Sequence, residues 1–310
     1  MMTMLAAAAL TASTITAPGP QAPLEGTLIN AGKGAPVVVI IPGSGPTDRN
    51  GNNPMGVAAQ PYKLLAEALA AKGVSSVRID KRGMFGSKGA VPDPNKVTIA
   101  DYAADAHAWA KAARKATGAK CVWLAGHSEG SLVALAAGQD PADLCGIVSI
   151  SGMGRPFGTV LADQLKAQAA GQPAATPLLD VALKAIASLE AGKTVDTATM
   201  PAPLMPLFAP QVQGYEIDLM KYRPAALAGS LKLPLLIVQG DQDTQVTVAD
   251  AKLLADAQPK AKLVIAPGVN HVLKTVKADD PAANRASYAD PSLPVAPAVV
   301  NAIAAFVRKR

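Results

Sequence analysis

Residues 37–41 read Val-Val-Val-Ile-Ile and stop at Pro42-Gly43. A strand with apolar, mostly β-branched side chains on both faces must be covered on both faces. Such a strand belongs inside a parallel sheet with helices above and below. The pattern recurs at Val74–Ile79, Val122–Ala125, Gly146–Ile150, Leu235–Val238 and Leu263–Ile265. Helical spacing fills the intervals. Pro61–Lys72 ends at the helix-stopping Gly73, and Thr98–Thr117 starts with Thr98 as N-cap and Asp101 in its first turn. Ser131–Gly138 is rich in Ala and Leu, and Pro297–Arg308 closes the chain. Strands alternating with helices predict an α/β fold: a mostly parallel central sheet flanked by helices.

The rhythm breaks between about residues 152 and 229. No strand-like run occurs there, and Pro173, Pro177, Pro201, Pro203, Pro206 and Pro210 punctuate Ala-rich helical stretches at Gly158–Ala170 and Leu178–Ala191. This segment is expected to be a helical lid inserted into the sheet domain. The organisation that follows is a leader or flexible extension over 1–25, the first part of the core over 26–152, the lid over 153–228, and the second part of the core over 229–310. The leader reading rests on the apolar run Met4–Leu10 and the Pro-rich stretch Ala17–Pro23, although no Lys or Arg precedes the run. That run is too short to span a bilayer, and no other segment reads as a membrane span. A leader implies a periplasmic or secreted protein; a strand-forming or disordered extension leaves a cytoplasmic one. There is no internal repeat.

The chain has 310 residues, half of them apolar, enough for one large core. Only 4% are aromatic, so Ala, Val, Leu and Ile must build that core. The formal charge of +6 is scattered; the one tight basic cluster is Arg308-Lys309-Arg310. A solvated surface explains it, and no nucleic-acid partner is expected. Cys121 and Cys145 cannot make a structural zinc site by themselves. Both fall near the beginnings of neighbouring strands. Two buried thiols are the expectation, with a disulfide as the geometrically open alternative.

Gly126-His127-Ser128-Glu129-Gly130 is a G-x-S-x-G pentapeptide between a strand and a helix. That setting makes it a nucleophile elbow, a tight turn that lifts the serine hydroxyl at the carboxyl end of the sheet. A serine hydroxyl needs a base to take its proton. The chain has three histidines. His107 lies within a helix and His127 inside the elbow itself. His271 follows the strand Leu263–Ile265 through the turn Pro267-Gly268-Val269-Asn270. It is the candidate base. Leu235–Val238 leads into Gly240-Asp241-Gln242-Asp243-Thr244, and turn length favours Asp243 as the partner of His271, leaving Asp241 to turn hydrogen bonding. An oxyanion needs preorganised N–H donors. The candidates are the Glu129 N–H and the Ser44 N–H in the turn Pro42-Gly43-Ser44-Gly45-Pro46, with Gly43 and Gly45 as near alternatives.

Four stretches resemble the bacterial carboxylesterase and serine-aminopeptidase-like group of the α/β-hydrolase family. They are Ile41–Asn52, Asp80–Ser87 (an Asp-x-Arg-Gly-x-Gly-x-Ser loop with one residue inserted before Gly86), Gly126–Gly130, and Gly240–Val246 with Asn270-His271. Together they span about residues 26–152 and 229–310. The resemblance implies a sheet of about eight strands, a Ser128–His271–Asp243 triad, ester hydrolysis through an acyl-enzyme, and no metal or organic cofactor. It implies that Asp48, Arg49, Asp80 and Arg82 brace loops near the site. Pro42-Gly43 stands where many relatives have His-Gly, which removes a histidine that often buttresses the oxyanion loop.

The expected activity is therefore hydrolysis of small or short-acyl carboxylic esters, with a small-molecule ester as the partner. An aminopeptidase or amidase of the same fold is the alternative, with Glu129 as a candidate partner for a substrate amine. A noncatalytic binding scaffold is the other. Met200, Leu204, Met205, Leu207, Phe208 and Met220 suit either an acyl pocket or the packing of the lid. Oligomeric state and acyl-chain preference are not encoded in any motif.

Overall fold

The computed structural model describes residues 11–278 and 280–309. Among them, the strands are β1 (Ala12–Ala17), β2 (Leu24–Ile29), β3 (Val37–Ile41), β4 (Ser75–Ile79), β5 (Val122–His127), β6 (Leu144–Ile150), β7 (Leu235–Gly240) and β8 (Lys262–Ala266). They form one eight-stranded sheet in the order β1-β2-β4-β3-β5-β6-β7-β8. β2 pairs antiparallel with β1 and β4, and every other pairing is parallel.

The helices are α1 (Pro61–Ala70), α2 (Ile99–Thr117), α3 (Glu129–Ala137), α4 (Phe157–Ala169), α5 (Thr176–Glu190), α6 (Met205–Phe208), α7 (Pro210–Met220), α8 (Pro224–Ser230), α9 (Val248–Ala257), α10 (Pro281–Ser287) and α11 (Pro297–Val307). Helix α2 begins in a capping box: the Asp101 N–H donates to Thr98 Oγ1 at 3.1 Å, and the Thr98 N–H donates back to Asp101 Oδ2 at 2.9 Å. It ends at Gly118, whose φ of 74° is the left-handed cap.

Two-sided burial accounts for the apolar runs. Val37, Val39, Ile41, Leu124 and Ile237 face one core with Trp109 of α2, Leu132 of α3 and Leu254 of α9. Their neighbours Val38, Ile40, Ala125, Val148 and Val238 face the other core with Leu65 of α1 and Ile303 of α11. The lid helices bury their own small cluster around Leu161, Ile186, Leu189, Leu204 and Phe208. Arg155 fastens the start of the lid to α9, donating from Nε and Nη2 to the buried Asp250 at 2.9 Å each.

Two expectations change. The sheet begins before residue 26, because Ala12–Ala17 pairs along its whole length with β2 as the edge strand. The apolar run at Met4–Leu10 lies outside the described residues. Cys121 and Cys145 are joined in a disulfide rather than left as two thiols, with 5.1 Å between their Cα atoms. The cause is the parallel pairing of β5 with β6, which brings both chain positions to the same end of the sheet. Among the described residues, no helix is long and apolar enough to cross a membrane.

The disulfide closes a loop with a sequence separation of 24, which constrains the unfolded chain by roughly 3 kcal/mol. The double variant Cys121→Ala/Cys145→Ala is expected to unfold in urea with a correspondingly lower stability. Equal unfolding midpoints and slopes for parent and variant would show that the link adds nothing.

Candidate active site

The end of β5 is built for an exposed serine. Ser128 has φ 55° and ψ −122°, a strained conformation for a residue with a Cβ. Its N–H donates to the Ile150 carbonyl at 2.9 Å, so the strain is held by the neighbouring strand. A Cβ on Gly126 would sit 1.9 Å from the Gly130 oxygen, and one on Gly130 would sit 2.3 Å from the Ile41 oxygen. Both glycines are therefore steric requirements of the elbow. Ser128 stays partly exposed while residues 122–127 and 129–135 around it are buried.

β7 and the segment after β8 bring the other two groups together. His271 Nδ1 lies 2.8 Å from Asp243 Oδ2. A carboxylate there makes Nδ1 the donor and leaves Nε2 as the proton acceptor. Asp243 Oδ2 also accepts from Gln239 Nε2 at 3.2 Å, and Oδ1 accepts from the Gln245 and Val246 N–H groups at 2.9 Å each. Burial works to raise the Asp243 pKa, but the adjacent His271 and these donors outweigh it and hold the carboxyl below its usual range. Asp241 lies elsewhere: its Oδ1 accepts from the Gly268 N–H at 2.7 Å and ties two turns. The loop of His271 is pinned by the buried Asn270, which donates to Ser287 Oγ at 2.7 Å and Asn284 Oδ1 at 2.9 Å.

His127 is a structural link. Its Nε2 lies 2.8 Å from the His271 carbonyl oxygen, which can only accept, so Nε2 carries the proton. Nδ1 is then an acceptor for Tyr62 Oη at 2.8 Å, and Tyr62 Oη in turn accepts the Gly43 N–H at 3.0 Å. Burial first, and then the neighbouring His271, push the His127 pKa down to about 3. His107 is remote from this group and meets the Ala137 carbonyl at 3.0 Å.

The turn after β3 lies against the elbow; a Cβ on Gly43 would be 3.2 Å from Ser128 Cβ. Because Tyr62 engages the Gly43 N–H, that group is removed from the oxyanion candidates. Among the described residues, the Ser44 N–H has no protein acceptor. The Glu129 N–H is in the first position of α3, where no intrahelical acceptor exists. The residues expected to brace do so. Asp48 Oδ1 accepts from the Asn50 and Asn52 N–H groups at 2.8 Å each, Arg49 joins Asp80 and Glu25, and Arg82 forks onto Asp105 at 2.6 Å.

A 440 Å³ pocket beside this turn is lined by Pro46, Met84, Phe85, Tyr102, Val212 and Tyr215, among others. Phe85, the residue inserted before Gly86, has φ 46° and is half exposed. The lid residues Leu204, Phe208 and Met220 pack in the lid's own core, with Met200 and Leu207 against them, and do not line this pocket. Among the described residues, no group of three or more His, Cys, Asp or Glu side chains is arranged to hold a metal ion.

The sequence pattern of the family described as serine aminopeptidase, S33, matches residues 55–275. Esterase EstD of Thermotoga maritima is 28% identical over 246 residues, covering 77% of this chain and 54% of that protein. The chain thus spans about half the length of this curated relative. Among solved structures, an esterase of Pyrococcus furiosus aligns with a TM-score of 0.56 at 17% identity over 83% of each chain. A thermophilic esterase from Thermogutta terrifontis aligns with a TM-score of 0.55 at 17% identity, over 96% of this chain and 98% of that one. These structures share the fold, an α/β-hydrolase sheet flanked by helices.

The depressed pKa of His127 has a consequence for stability. Between about pH 6.5 and about 3 the unfolded chain binds a proton at this position and the folded chain does not. Stability therefore falls as pH drops through that window. His127→Gln keeps a donor toward the His271 carbonyl and has no proton to take up. Its unfolding free energy is expected to depend on pH less steeply, by up to one proton. An unchanged slope in urea melts from pH 7 to pH 4 would rule this out.

Proposed function

This chain belongs to the serine aminopeptidase, S33, family, and from that premise we propose that it hydrolyses carboxylic esters through an acyl-enzyme on Ser128. The observation that carries the proposal is the 2.8 Å bond between Asp243 and His271, on a loop that His127 ties by its Nε2 to the strained, partly exposed Ser128 next to it in the chain. His271 Nε2 takes the Ser128 proton as Oγ attacks the ester carbonyl. Asp243 keeps the imidazole in the required tautomer and stabilises it once charged. The N–H groups of Glu129 and Ser44 receive the oxyanion. His271 then gives its proton to the leaving alcohol, and a water activated by the same histidine releases the acid. The 440 Å³ pocket takes one side of a small or short-acyl ester, with Met84, Phe85 and Val212 as apolar wall.

Amide cleavage is the second reading, favoured by the family's description and by Glu129, whose Oε2 is buried without a hydrogen-bond partner. Against it stands Lys81, whose Nζ is 3.4 Å from Glu129 Oε1. A substrate ammonium would meet a carboxylate that already has a cation, so the ester reading is preferred. The Cys121–Cys145 link suits an oxidising compartment and supports the proposal of a periplasmic or secreted protein. Thiol counting after extraction under alkylating conditions should find none free; two would overturn that placement.

Rates on p-nitrophenyl esters from acetate to palmitate, beside aminoacyl p-nitroanilides, test the activity. Short esters are expected to turn over, and Ser128→Ala to abolish it. Residual turnover within tenfold of the parent would sink the nucleophile assignment, and anilide cleavage at comparable efficiency would move the activity to aminopeptidase. Asp243→Asn should lower kcat by about 10⁴, far more than Asp241→Asn. Equal losses would mean that the wrong carboxylate holds the base.

A further inference from the structure

Lys81 is almost fully buried, yet no step of the proposed reaction uses it. Its Nζ donates to the Gly43 carbonyl at 2.8 Å and meets Glu129 Oε1 at 3.4 Å; the two side chains are 3% and 2% exposed. The ammonium also lies 5.5 Å from the centre of the Tyr102 ring. A buried cation is costly unless its partners are fixed. Here one partner is the residue after the nucleophile and the other is the peptide that carries the second oxyanion donor.

We infer that Lys81 is the positioning residue of the oxyanion hole, setting the direction and strength of the Ser44 N–H donor and coupling it to Glu129. The inference rests on the assignment of Ser44 and Glu129 as the two donors. The peptide between Gly43 and Ser44 is trans, so its C=O and N–H point in opposite directions. Clamping the Gly43 oxygen on Lys81 therefore aims the Ser44 N–H. The preceding peptide is held by the Gly43 N–H on Tyr62 Oη. Both dihedrals of Gly43 are thus fixed by side chains, at a residue whose own backbone would otherwise be the freest in the loop. The positive charge on the carbonyl oxygen also polarises the amide and strengthens its N–H as a donor. Pro42 has neither an N–H nor a polar side chain to do this locally, and Lys81 reaches in from the loop after β4.

The test compares the parent with Lys81→Met/Glu129→Gln, which removes both charges together and leaves no buried ion without a partner. The readouts are kcat and KM on p-nitrophenyl acetate, and the affinity of an alkyl boronic acid that forms a tetrahedral adduct on Ser128. The expected result is a fall in kcat of about 10- to 100-fold, below the loss of an entire oxyanion donor. KM should stay within about threefold, and boronic-acid affinity should fall in step with kcat. Lys81→Gln/Glu129→Gln keeps a neutral donor for the Gly43 oxygen and should recover part of the loss; it also serves as the test if the methionine variant does not fold. A kcat within threefold of the parent in both variants, or a fall in kcat without a parallel loss of boronic-acid affinity, overturns the inference. Ser128→Ala separates the two levels of failure: if it still turns over ester, the nucleophile assignment fails first, and if it is inactive while both Lys81 variants are fast, the inference alone fails.

Discussion

The structure turns on one strained residue. Ser128 sits at φ 55° and ψ −122°, a conformation that costs of order 1–3 kcal/mol for a side chain bearing a Cβ. It persists because its surroundings leave it no alternative. β6 takes its N–H, Gly126 and Gly130 touch across the turn, and Gly130 lies against the carbonyls of Ile41 and Pro42 at the end of β3. α3 is buried along nearly its full length and cannot shift to relax the turn. The two-sided apolar strands supply that rigidity, because β3 and β5 are packed on both faces. Burial energy in the sheet is thus what keeps the proposed nucleophile strained and partly exposed.

A second constraint joins loops that the sheet order keeps apart. The turn after β3 and the loop after β8 are separated by β5, β6 and β7 in the sheet. They are nevertheless linked by one directed chain of hydrogen bonds, from the Gly43 N–H to Tyr62 Oη, to His127 Nδ1, and from His127 Nε2 to the His271 carbonyl. Its direction is set at one end, because a carbonyl can only accept. A residue of the elbow therefore couples the loop of the proposed base to the loop of a proposed oxyanion donor. Movement of either loop has to break a buried hydrogen bond, which holds the geometry before substrate arrives.

The parts of this arrangement legible in the sequence are those with local physical signatures. Val37–Ile41 reads as a strand because two-sided burial demands an unbroken apolar run. The elbow is readable because tight packing excludes every residue but glycine at 126 and 130. Turn length points to Asp243, and Asp243 is the carboxylate that lies against His271. β1 is only one of the readings open for the N-terminal extension, because it is an exposed edge strand whose Ser and Thr side chains make no apolar run. β2 was hidden because Glu25 and Thr27 on one of its faces turn to Arg49 instead of to a core. Tyr62 and Lys81 left no trace at all. Each acts on backbone atoms of Gly43 from 19 and 38 residues away, and no spacing rule encodes a contact of that kind. The lid methionines and leucines leave two readings open in the sequence, since apolar side chains suited to a substrate pocket are equally suited to the lid's own core, where Leu204, Phe208 and Met220 pack.

The pairing of two histidines explains why one of them must never be charged. The rings of His127 and His271 have centroids 4.7 Å apart. In the proposed mechanism His271 becomes positive when it takes the serine proton. A second positive charge at that distance would oppose the step by roughly 3–4 kcal/mol at an effective dielectric constant of about 20, a loss of more than a hundredfold in rate. Burial removes that conflict by holding His127 neutral down to about pH 3. The same burial would be a liability if the ring had no partners, but Tyr62 and the His271 carbonyl satisfy both of its nitrogens. A neutral, fully bonded imidazole beside the proposed base provides rigidity without electrostatic opposition. A lysine or arginine at position 127 could donate to the His271 carbonyl but has no acceptor for Tyr62 Oη, and it would forfeit the second property as well.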